Sequence, residues 1–146
     1  MKNLPTRPSL GRCLLAGLFT GIITAVIVLI FNVIYRKHTH FYTYDIVMPF
    51  SIFLCFPLLH MVTGMIYHLF VGHLRNGRTI FSITFLLLTV ISAFAIAYSG
   101  SDVPEPEIGV VRGLFVGIDL ITGLMAVFFI PFFAAHSGIF LTDEKA

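Results

Sequence analysis

The chain has 146 residues, 58% of them hydrophobic and only 11% charged, with a formal net charge of +2 and a mean hydropathy of +0.97. A domain of this size needs roughly 25% charged residues to face water, so a soluble fold is excluded and an all-α integral membrane protein is expected. So small a net charge gives no basis for a nucleic-acid partner.

In chain order, Lys2, Arg7 and Arg12 precede an uncharged run, CLLAGLFTGIITAVIVLIFNVIY, that predicts a first membrane helix over 13–35. A bilayer core about 30 Å thick requires about 20 apolar helical residues. A secretory signal would show a shorter apolar run of roughly 7–15 residues and an A-x-A-like cleavage site, so a retained helix is expected instead. Gly17, Gly21 and Ala25 recur every four residues, and Val28 and Asn32 continue the row. Small residues at that spacing let helices approach closely, which predicts a packing ridge ending in an amide.

The following stretch, RKHTHFYTYD, holds His38, His40 and Asp45. A His-x-His pair on a loop or strand with a third ligand in reach is a weak zinc or copper candidate. The plainer reading is an interfacial belt, with aromatic rings at headgroup depth beside Arg36 and Lys37. A second helix is predicted over 46–71, where His60, Gly64 and Tyr67 share one face with Thr63 beside them and His68 on its shoulder. Pro57, one turn before His60, is expected to bend this helix and free a backbone carbonyl.

A basic turn, GHLRNGRTIF, leads to a third helix over 80–98 that carries Ser92. The proline-rich turn SGSDVPEPE then precedes a fourth helix over 113–135. Loops this short favour an up-down bundle of sequential antiparallel helices. Lys2, Arg7, Arg12, Arg75, Arg78 and Lys145 fall on one side and Arg36, Lys37 and Arg112 on the other. Six against three places both termini in the cytoplasm by the positive-inside rule. A single four-helix domain in the bacterial cytoplasmic membrane is the expected organisation.

Asp119 interrupts the fourth apolar run and shares a helical face with Thr122, Gly123 and Ala126. An aspartate at the centre of a membrane helix costs about 2.5–3.5 kcal/mol on insertion scales, which makes an intramembrane acid a candidate for function or assembly. Arg112 precedes it by two turns, about 10.5 Å, a separation that suits a water bridge better than a direct pair. Counting rise per residue, Ser92 comes to a similar height, His60 about a turn deeper and Asn32 farther out. The expected cluster joins Asp119, Ser92 and Thr122, with His60 beneath.

Three readings of Asp119 follow: an interhelical hydrogen-bonding group, the partner of a cation on another subunit, or the proton or ion site of a small transporter. Bis-histidine haem ligation needs histidines on two helices at one depth, whereas His60 and His68 share a helix and His73 and His136 lie at the rim. Cys13 and Cys55 have no metal or redox spacing. No phosphate loop, HExxH or GxSxG is present, so no cofactor is expected and no catalytic residue is named.

The layout resembles small bacterial four-helix membrane protein families of unknown function. They too have a glycine-studded first helix like LLAGLFTGIITAVIVLIF and a second helix ending in a basic turn like HLRNGRTIF. The resemblance transfers no functional residue. The expected role is that of a small accessory or scaffolding subunit acting through helix–helix contacts, as a homo-oligomer or in a larger membrane complex. The alternative is a small proton-coupled transporter or ion-conducting oligomer that uses Asp119 and His60.

Overall fold

The computed structural model describes residues 8–40, 49–99 and 107–136. They form four α-helices: α1 (Leu10–Thr39), α2 (Pro49–His73), α3 (Gly77–Tyr98) and α4 (Glu107–Ala135). Each is long and apolar enough to cross a membrane. α1 extends beyond its apolar run at both ends, α2 at its end, and α3 and α4 at their starts, while α2 is described from Pro49 rather than 46. Arg36, Lys37 and His38 form the last turn of α1, where cations complement the negative end of the helix dipole. Ser9 caps the other end by accepting a hydrogen bond from the Arg12 N–H at 3.4 Å, and His40 closes the helix in a left-handed conformation with φ of 53°.

Neighbouring helices are antiparallel. The start of α1 lies against the end of α2, where Cys13 meets Gly64. The end of α1 lies against the start of α4, where the Tyr35 hydroxyl donates to the Val110 carbonyl at 3.0 Å. Likewise Arg112 of α4 donates to the Ser99 carbonyl at the end of α3, supplying a partner to one of the carbonyls that a helix end leaves open. α1 packs on α2 and α4, α3 packs on α4, and the α2–α3 side is the thinnest of the four.

The α1–α2 seam is a backbone-to-backbone contact made by glycines. A Cβ on Gly17 would collide with the His60 carbonyl, one on Gly64 with the Cys13 carbonyl, and one on Gly21 would come within 2.5 Å of Pro57 Cα. Pro57 lies inside an unbroken α2, and its flat, hydrogen-free nitrogen side is part of the surface that receives Gly21.

Two apolar clusters occupy the bundle. Near the termini, Cys13, Ala16, Tyr67, Phe81, Ile130 and Ala134 draw on all four helices. The Phe81 ring, fully buried, stands edge-on to Tyr67 at 5.0 Å and to Phe70 at 6.0 Å between centroids. Edge-to-face pairs of this kind contribute about 0.5–1.5 kcal/mol each beyond area burial. At the opposite end Ala25, Val28 and Ile52 pack with Phe56, Ile118 and Ile121, and α3 takes no part.

Candidate functional site

Between the two apolar clusters lies a layer of polar side chains. Thr20 and Thr24 on α1 are fully buried, and each donates its hydroxyl hydrogen to the carbonyl one turn earlier, Ala16 and Thr20 respectively, at 2.7 Å. Threonine settles in an apolar helix in this way, because the bond satisfies its hydroxyl without an external partner.

His60 on α2 is 1% exposed. Its Nδ1 lies 2.9 Å from the Phe56 carbonyl, a distance that assigns the ring hydrogen to Nδ1, since a lone pair there would face an oxygen. Nε2 is 3.3 Å from Thr24 Oγ1 on α1. With the Thr24 hydrogen spent on Thr20 and the ring hydrogen on Phe56, no hydrogen lies between these two atoms; the ring rests against α1 and lines the cleft described below.

Asp119 on α4 meets Ser92 on α3. Ser92 Oγ lies 2.8 Å from one carboxylate oxygen and 3.0 Å from the other. The Leu88 and Thr89 carbonyls are 2.9 Å and 3.1 Å from the same hydroxyl, so one hydrogen is shared among three acceptor groups. Beside this pair Gly123 allows Thr89 to seat against α4, since a Cβ on Gly123 would overlap the Thr89 side chain.

A cavity of about 230 Å³ lies between α2, α3 and α4. Its polar wall comprises His60 and Thr63 from α2, Thr89 and Ser92 from α3, and Asp119 and Thr122 from α4. Phe85 and Ala126 also line it, and Leu59 and Leu88, both about half exposed, stand on the two helices that make the thin side. The cavity thus opens laterally, between α2 and α3.

Three of its hydroxyls are already committed as donors. Thr63 donates to the Leu59 carbonyl at 2.9 Å, Thr89 to Phe85 at 2.8 Å and Thr122 to Ile118 at 2.7 Å. What they present to the cavity is oxygen lone pairs.

The other sequence candidates lie elsewhere. Asn32 is buried on α1, yet it does not line the cavity, and its Oδ1 has no hydrogen-bond partner among the described residues. His68 Nδ1 pairs with the Pro8 carbonyl at 3.1 Å and so ties the N-terminal segment to α2. Gly17, Gly21, Ala25 and Gly64 are buried along the α1–α2 seam. Arg112 engages Ser99 rather than Asp119.

His38 belongs to the last turn of α1 and His40 is its C-cap, which removes the loop geometry expected of the pair. Asp45 lies outside the described residues. Among the described residues no group of three or more His, Cys, Asp or Glu side chains is placed to hold a metal ion. His73 and His136 are exposed at the helix ends, and each pairs with a carbonyl of its own last turn. Both cysteines are free thiols, Cys13 buried and Cys55 exposed.

Sequence reasoning did not single out Thr24 and Thr89 as members of this layer. The available signal was spacing. Thr24 follows Thr20 by one helical turn on the buried ridge, and Thr89 precedes Ser92 by three positions. Searches against protein-family models, curated proteins and solved structures found no match.

Proposed function

We propose that this is a small proton-coupled membrane transporter, spanning a bacterial cytoplasmic membrane with both termini inside and using Asp119 and His60. The carrying observation is the cavity that brings a carboxyl group and an imidazole to one space at the middle of the bundle. Placing an ionisable group at that depth is expensive for a membrane helix, and here it borders a void rather than being packed away. Orientation is supported by the excess of Lys and Arg on the side of the termini.

The experiment is flux in proteoliposomes bearing a proton gradient. Asp119→Asn keeps the shape and a partner for Ser92 but removes the charge. It is expected to abolish proton-coupled flux, with elution in size-exclusion chromatography unchanged. Flux equal to that of the parent protein would refute a role for Asp119 in transport.

A second reading is favoured by α3, in which only Gly77, Phe81 and Thr89 are buried along 22 residues. A helix so little covered suits an accessory or scaffolding subunit that packs α3 against a second copy or a larger membrane complex. Native mass spectrometry after mild extraction tests it: a hetero-complex supports the subunit, and a lone chain supports the transporter.

A further inference from the structure

The cavity lining has many hydrogen-bond acceptors and lacks free donors. The hydrogens of Thr63, Thr89 and Thr122 are spent on backbone carbonyls of their own helices. That of Ser92 is taken by Asp119 or by the Leu88 and Thr89 carbonyls. The Nδ1 hydrogen of His60 is spent on Phe56, and its Nε2 is turned toward Thr24. The space is therefore bordered by hydroxyl lone pairs and a carboxylate whose two oxygens have about four acceptor positions, at most one of them filled from Ser92. An anion finds no donor on these walls, and a neutral acceptor finds none either.

The remaining surface defines the rest of the ligand. Leu59, Phe85, Leu88 and Ala126 give the cavity an apolar side, against which a bare alkali ion would keep unsatisfied water. At about 230 Å³ the space is smaller than the roughly 300–1,000 Å³ of sites for drug-sized molecules. It matches the volume of about seven or eight waters at roughly 30 Å³ each.

We propose that the cleft binds a small primary organic ammonium. Its three N–H donors are directed at Asp119 and the hydroxyl oxygens of Ser92 and Thr122, and its hydrocarbon part lies along Phe85 and Leu88. The lateral opening between Leu59 and Leu88 admits such a molecule from the acyl-chain region. The proposal names a substrate class for the transporter suggested above and rests on that reading for transport alone; binding stands or falls separately.

Binding is tested by isothermal titration calorimetry on the full chain in lipid nanodiscs, with empty nanodiscs as the blank. The probes are benzylammonium, benzyl alcohol, benzyltrimethylammonium and sodium or potassium chloride. Saturable one-to-one binding of benzylammonium is expected, with the alcohol and the trimethyl derivative each weaker by about tenfold or more, as loss of charge-assisted hydrogen bonds implies. Asp119→Asn should show a similar loss for benzylammonium, and the probe series on the unmodified protein keeps the result independent of that variant's folding. Equal binding of benzyl alcohol would overturn the proposal in favour of apolar partitioning. Equal binding of the trimethyl compound would overturn the role of the N–H donors, and binding of the alkali ion alone would overturn the organic ligand. Benzylammonium that binds as expected but shows no proton-coupled flux would refute the transporter and leave the site standing.

Discussion

Among the described residues Asp119 is held by a single serine hydroxyl, and the strength of that bond is the quantity to measure. Interhelical hydrogen bonds in membranes average about 0.6 kcal/mol and reach about 1.7. Ser92→Ala leaves the carboxyl group without its donor and is expected to lower stability by about 1 kcal/mol in a denaturant titration followed by circular dichroism. Thr63→Val removes a bond made only within α2, and its effect should stay within about 0.5 kcal/mol, as for a group with no partner on another helix. Asp119 and His60 were legible in the sequence because ionisable groups are rare in apolar runs. Thr24 and Thr89 were not. A threonine bonded to its own helix leaves no trace in composition, and only tertiary packing gives these two a second neighbour, His60 for Thr24 and Gly123 for Thr89.

Among the elements, the glycine seam between α1 and α2 is the contact least tolerant of change. At Gly64 an added side chain meets the Cys13 backbone carbonyl, which cannot rotate aside. Gly64→Val is expected to destabilise by about 3 kcal/mol or to part the two helices, at the upper end for overpacked cores. At Gly11 an added Cβ meets nothing, so Gly11→Ala should stabilise α1 by up to about 1 kcal/mol through helix propensity. The pair of variants separates close approach from glycine content, and thermal melts in detergent read both. The ridge of Gly17, Gly21 and Ala25 was visible as a repeat of four. The poor burial of α3 was not, since its residues are as apolar as those of its neighbours and hydropathy does not tell lipid from protein. The ends of α3 and α4 fall where the apolar runs stop, but the starts of α1, α3 and α4 come earlier, because charge marks where a run stops being apolar rather than where hydrogen bonding stops.

For the whole molecule the open question is orientation, which the bundle's antiparallel order reduces to a single choice. Asn76, exposed in the α2–α3 turn, lies at the same end of the bundle as the start of α1 and the end of α4. Asn76→Cys, in a background with Cys13 and Cys55 replaced by alanine, is expected to react with a membrane-impermeant maleimide in inside-out vesicles and not in right-side-out ones. The opposite pattern would invert the topology. The two apolar clusters are unequal: the one near the termini joins all four helices, whereas the other leaves out α3. The polar layer is consequently backed by residues of all four helices on one side and of three on the other. In a membrane the lateral opening between α2 and α3 would face the acyl chains, so the cleft would exchange with the hydrocarbon phase. Its occupancy would then follow how strongly a ligand partitions into the bilayer, and not its concentration in either aqueous compartment.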